Sequence, residues 1–368
     1  MKFICEKNSL QEAVSTAQKA VTGKSNMAVL EGLLIIASNN EITIIGSDKD
    51  LSIETKIKAE IIEEGSIVVD SKLFGEIIRK MPNYQIELSK DINGNSLEIT
   101  CKKSKAIVKC MNEEDYPSLP YIEDNININI SQGVIKNMIK GTIFSVAQDE
   151  IRPILMGVLL EIKNNKINFV ALDGLRLALR YENIDSDKDI SVVIPGKTLN
   201  EISKILSDTN DIVNITFTQN QVLFNLGNTK IISRLLEGEY IKYNSIIPYD
   251  HKLKVIVKKD EILESIERAS LVARETDNNF VKLDMVDDLI VITSNSQLGN
   301  VREEVNAIMQ GEEIHIAFNS KYLIDVLKNL DEEEIIMELT SSISPCILKN
   351  KQNDNSIYLV LPVRFLNA

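Results

Sequence analysis

SVVIPGKTLNEISKIL, residues 191–206, reads as a short buried strand (Val192, Val193, Ile194), a Pro-Gly break and an amphipathic helix. The apolar side of that helix carries Leu199, Ile202, Ile205 and Leu206. Two other stretches have the same build: SIVVDSKLFGEIIRKM over 66–81 and IHIAFNSKYLIDVLKNL over 314–330. Their aligned lysines are Lys72, Lys197 and Lys321, spaced by 197 − 72 = 125 and 321 − 197 = 124 residues. A near-constant offset in a chain of 368 residues means one unit used three times.

The expected units are 1–123, 125–250 and 251–368, each long enough to bury its own core. Each begins with a strand and a helix. In the first, Asn8 or Ser9 caps a helix with Leu10, Ala13, Val14, Ala17 and Val21 inward. Asp70 or Ser71 caps the second helix, Pro82 stops it, and Asn93-Gly94 marks a hairpin turn. In the second, Ser131 caps a helix bearing Ile135, Met138, Ile139 and Ile143; in the third, a helix over 259–273 carries Ile262, Leu263, Ile266 and Ala269. Asp48, Asp173 and Asn295 fall at equivalent turns. The strand–helix–strands pattern occurs twice per unit, which predicts two half-units sharing an antiparallel sheet with two helices side by side on one face, an α+β fold.

Composition removes several function classes. No apolar run approaches the length of a membrane span or a signal peptide, so the expected location is cytoplasmic, with no membrane partner. Cys5, Cys101, Cys110 and Cys346 show no metal spacing and read as strand or core residues, with Cys101 and Cys110 able to face each other across a hairpin. The only histidines, His251 and His315, form no nucleophile constellation, and His315 lies in an apolar strand where a structural role is expected. Neither GxxxxGK[ST] nor GxGxxG occurs, and no cofactor is expected. Asp48, Asp50 and Glu54 suggest a carboxylate metal site, but their counterparts in the second unit are Asp173, Leu175 and Leu179, so the cluster is not repeated. No catalytic or metal-binding residue is assigned, and a carboxylate-dependent metal enzyme stands only as an alternative.

Net charge is −13, which argues against tight nucleic-acid binding unless basic residues are confined to one surface. The second helix of each unit supplies such a surface. Lys72 and Arg79, Lys197 and Lys204, and Lys321 and Lys328 are each seven residues apart, hence on one stripe about 20° apart, opposite the apolar side. Lys24, Lys140, Arg152 and Arg268 extend it, with Lys7, Lys19, Lys136 and Arg274 as further basic positions. A repeated basic helical face suits phosphate contacts that position without reading sequence.

Taken with LDGLRLA over 172–178 and the ending LVLPVRFLNA over 359–368, the whole chain resembles the bacterial DNA polymerase III β subunit family, the sliding clamps. The resemblance implies three clamp domains per chain, with antiparallel sheets outside and two helices per domain lining a ring. Two chains would join head to tail as a homodimer around duplex DNA, without sequence preference and without catalysis. The edge strand near Ala106 and Val108 would then meet an edge of the third unit. The acidic total is reconciled if topology rather than affinity holds the DNA, the inner helices touching phosphates weakly and through water. The resemblance further implies a pocket between the second and third domains that takes short linear peptides from the replicative polymerase, the clamp loader and repair proteins. Carried over by position, its residues are Leu155, Leu172, Gly174, Leu175, Arg176, Leu177, Tyr243, Ser245, Ile246, Ile343, Pro345, Leu359, Leu361, Pro362, Val363 and Arg364. Leu175 stands where the family commonly has His, Ile241 where it often has Pro, and Asn244 and Ser245 where it often has basic residues. Met27 and Ala28 likewise replace prolines. A repeat-built scaffold that binds proteins without encircling DNA is the remaining alternative.

Overall fold

A computed structural model describes residues 1–364 except 22, 24, 92–94, 121, 123–125 and 275–278. The Asn93-Gly94 turn, Lys24, the boundary residues 123 and 125 and the tail 365–368 therefore lie outside the described residues. Six α-helices occur among them: α1 (Lys7–Ala17), α2 (Ser71–Lys80), α3 (Gln132–Ile143), α4 (Gly196–Ile205), α5 (Lys259–Ala273) and α6 (Ser320–Leu327). Asp70 caps α2, its carboxylate accepting from Leu73 N at 2.7 Å, and Asn319 caps α6 through Lys321 N at 3.0 Å. The α1 helix starts earlier than expected, at Lys7 after Glu6, with no side-chain cap, so Asn8 and Ser9 lie inside it. The Pro-Gly break of 191–206 is not a loop. Pro195 ends the strand Ile190–Pro195 and α4 begins at the next residue. A Cβ on Gly196 would sit 2.9 Å from Met156 O, so this abrupt change of direction needs glycine.

The chain divides into two compact units, 1–135 with 200–235, and 136–199 with 236–368. The first holds a thirteen-stranded sheet and the second a twelve-stranded one, antiparallel throughout. Both are assembled from groups of four strands, the first sheet carrying Glu60–Glu63 as one further strand at its edge. One kind of group joins the opening strand of a repeat to its last three strands; the other joins four strands that lie between its helices. The expectation that the half-units of each repeat share a sheet holds for the first and third repeats and fails for the middle one. There, Thr229–Arg234 pairs with Leu51–Lys58 of the first repeat, while Arg176–Asn183 pairs with Ser356–Val360 of the third. Each pairing satisfies a strand edge that would otherwise stay open.

In the first unit α1 buries Leu10, Ala13, Val14 and Ala17, and α2 buries Phe74 and Ile78, in one core with Phe3, Ile35 and Ile44. The two helices lie side by side, and Gln18 Nε2 donates to Ser71 O at 2.5 Å. In the second unit α5 and α6 pack together over a core containing Ile262, Ile266, Leu323 and Val326. Cys101 is opposite Ser104 rather than Cys110, and all four cysteines are free, Cys110 only half-buried. In the third repeat, Ser296 rather than Asn295 occupies the position of Asp48 and Asp173. It accepts from Leu298 N at 3.2 Å as those aspartates accept from the amide two residues on.

Candidate functional site

The loop joining Lys166–Leu172 to Arg176–Asn183 is set by Asp173, whose Oδ1 accepts from Leu175 N at 2.9 Å and Arg176 N at 3.0 Å. Gly174 takes φ 92°, a left-handed backbone that favours glycine, although a side chain there would meet nothing. The turn lifts Leu175 to 50% exposure, and Leu175 O accepts from Leu361 N at 2.9 Å. The segment after the last strand is thereby fastened beside the turn.

Beneath it, Leu155, Leu172, Leu177, Tyr243 and Leu359 are buried in one cluster, with Leu361 packed against it. Leu172 is the cross-strand partner of Leu177, and Leu177 of Leu359. The Tyr240 hydroxyl donates to Val170 O at 3.2 Å, and that of Tyr243 to Glu161 Oε2 at 2.7 Å; burial raises both phenols. Of the other residues carried over for the groove, Ile246 is 38% and Ile343 72% exposed, Pro345, Pro362 and Val363 are half-buried, and Ser245, Gly174 and Arg364 are exposed. Beside it, Ile343, Val363 and Arg364 line a groove of about 950 Å³ with Lys252, Lys282 and His315. Sequence reading placed His315 in a structural role. Its ring is instead exposed, with Nδ1 2.6 Å from Asp284 Oδ1, because its strand turns alternate residues outward.

Arg176, carried over by position as a residue of the groove, is turned inward. It is 7% exposed, and its guanidinium donates to Asp173 at 3.0 Å, Asp325 of α6 at 2.6 Å and Phe144 O at 2.5 Å, while lying over the Tyr322 ring at 4.5 Å. With these partners it braces the turn from inside. Its neighbour Arg180 is buried likewise, bonded to Asp331 at 2.6 Å.

On the helices, Lys72, Arg79, Lys197, Lys204, Lys321 and Lys328 are all exposed, as are Lys140, Arg152 and Arg268. The stripe is less uniformly positive than the sequence implies. Lys204 pairs with Glu201 at 2.6 Å, Lys328 with Glu267 at 2.7 Å, and Arg268 with Glu303 at 2.7 Å. Lys72, Arg79, Lys140, Arg152 and Lys321 have no ion-pair partner among the described residues. Lys328 lies one residue past the end of α6. Lys7 is buried against Gln11 and does not belong to the face. Asp48 and Asp50 do not gather a metal: the first caps its own turn and the second faces Arg234 at 3.7 Å. No cluster of three potential metal ligands occurs among the described residues.

Comparison with known proteins covers the chain from end to end. The N-terminal, central and C-terminal domains of the DNA polymerase III beta subunit match residues 1–120, 129–242 and 244–364. The beta sliding clamp of Bacillus subtilis is 39% identical, over 99% of this chain and all of the relative, and that of Staphylococcus epidermidis 36% identical over 99% of each. The crystal structure of the B. subtilis clamp has a TM-score of 0.95 at 38% identity, covering both chains completely. The beta chain from Streptococcus pneumoniae also reaches 0.95, at 30% identity over 99% of this chain and all of that one. The chain, an α+β protein of three clamp domains, belongs to the DNA polymerase III beta subunit family, the sliding clamps.

Proposed function

We propose that this chain is a DNA sliding clamp for chromosomal replication. Two copies close head to tail into a homodimeric ring around duplex DNA, with domains spanning 1–123, 125–250 and 251–368. The observation that carries the reading is the exposed basic face repeated on α2, α4 and α6 of a chain with net charge −13 that belongs to the beta subunit family. Basic helices against phosphates and acidic surfaces elsewhere favour a mobile, topological hold over a tight one. Carboxylates beside Lys204, Lys328 and Arg268 temper the attraction further. Two open strand edges support the dimer. Residues 104–109 of Ser104–Met111 have a ladder on one side only, as do residues 299–306 of Gly299–Gly311, among the described residues.

The apolar floor around Leu177 with the exposed Leu175, Ile246 and Ile343 supports capture of short peptides from the replicative polymerase, the clamp loader and repair proteins. In this reading the protein does no chemistry and needs no cofactor; it supplies processivity. Loading the protein with a clamp loader onto nicked circular DNA tests it. It should stay bound to the circle through gel filtration and leave when the circle is cut. Equal retention on both forms would refute the encircling mode in favour of plain adhesion.

A further inference from the structure

The floor and turn around Asp173 have a counterpart in the first unit. Asp48 Oδ1 accepts from Asp50 N at 3.2 Å and Leu51 N at 2.8 Å, the bonds that Asp173 makes to Leu175 and Arg176. Lys49 takes φ 80° where Gly174 takes 92°. Arg234 N donates to Asp50 O at 2.8 Å, as Leu361 N does to Leu175 O at 2.9 Å. The Tyr116 hydroxyl donates to Ile45 O at 3.3 Å, as Tyr240 does to Val170 O at 3.2 Å. Leu30 N donates to Met27 O at 3.0 Å, as Leu155 N does to Arg152 O at 2.9 Å. These bonds are matched one for one.

The side chains facing the groove are not. Leu172 and Leu177, paired across their strands, are replaced by Ser47 and Ser52, also paired and buried, with their hydroxyls 2.8 Å apart. Leu175 is replaced by Asp50 and Leu361 by Arg234, and these two face each other at 3.7 Å. We infer that Ser47, Ser52, Asp50 and Arg234 are the specificity determinants that confine capture of apolar peptides to the second unit, the first carrying a backbone copy of the groove closed by polar side chains. The inference rests on the peptide-groove reading above. An apolar side chain entering the second unit's groove meets leucine surface. In the first unit it would strip water from the exposed Asp50 and Arg234, part their charges and meet the buried serine pair in place of leucine, while returning no hydrogen bond. Identical strand pairing in both units means that the choice lies in these side chains and not in the backbone.

Calorimetric titration with a hexapeptide carrying two adjacent large apolar residues tests this. The unmodified chain should saturate at one peptide per chain. The variant S47L/S52L/D50L/R234L should saturate at two, the added site surviving when Leu175→Asp and Leu361→Asp silence the original groove. The milder D50L/R234L, which alters two exposed side chains and leaves the buried serines in place, should show a second phase at least tenfold weaker than the first. If the fourfold variant does not fold, this variant decides, and a single phase overturns the inference. One site in a folded fourfold variant also overturns it while leaving the groove reading intact. No binding by the unmodified chain defeats the groove reading itself, and this inference with it.

Discussion

Arg176 shows how far a single side chain can differ from its appearance in sequence. Between Leu175 and Leu177 it resembles a cation offered to a ligand, yet its guanidinium spans the Asp173 turn, α6 and the end of α3. Removing one member of a buried pair leaves the other uncompensated, so Arg176→Met should lower unfolding free energy by about 3–5 kcal/mol. Urea denaturation would show it; a change under about 1 kcal/mol would mean that Asp325 and Asp173 are solvated well enough without it. Asp284 makes a second prediction. Burial pushes its carboxyl up, but hydrogen bonds from Lys282 and His315 outweigh that and hold it below the ordinary value of 3.8. A carboxyl with a lowered folded pKa contributes stability that is present above its unfolded pKa and is lost as pH falls through the folded one. Asp284→Asn should therefore flatten the loss of stability in that acid window, measured by urea midpoints across a pH series. An acid limb as steep as the parent's would remove Asp284 from the linkage.

At the scale of elements, amphipathic spacing located all six helices, because helical and strand periods are properties of neighbouring residues. What escaped was local competition. The α1 helix starts without the expected cap, α6 stops at Leu327 before its second lysine, and Glu60–Glu63, with one half-buried residue among four, gave no strand signal. Packing carries most of a short helix's stability, so Phe74→Ala in α2, at a wholly buried position, should cost about 3–5 kcal/mol by thermal or urea unfolding. The open edge of Ser104–Met111 makes a different prediction. Ile107 is 62% exposed there, and Ile107→Asp should shift the proposed dimer to monomer in sedimentation runs while leaving the melting temperature of the isolated chain nearly unchanged. A dimer of undiminished strength would place the contact elsewhere.

At the scale of the whole molecule, charge and topology work together in the proposed clamp. Reversing Lys197 and Lys204 to Glu should weaken association with linear duplex and reduce its salt dependence, each lost phosphate contact lowering the log–log slope by about 0.9. Filter binding at several salt concentrations reads this directly, and an unchanged slope would take α4 out of the DNA-facing surface. Deleting 361–368 should abolish peptide capture and spare the dimer, because it removes one wall of the groove while both strand edges remain.

The sequence by itself determined the threefold repeat, the α+β class and the helix faces, since offsets of 124–125 and apolar periodicities are written in order along the chain, whereas the residues of the apolar floor came by position from the resemblance to the sliding clamps. Only the tertiary structure decided how the middle repeat is shared between two sheets. The pairings that divide it join residues 231 − 53 = 178 and 358 − 178 = 180 positions apart, and nothing local specifies such partners. The same holds for the burial of Arg176 and for the carboxylates beside Arg268 and Lys328. Glu303 and Glu267 reach those cations from distant segments, and electrostatic neutralisation depends on distance in space, not in sequence.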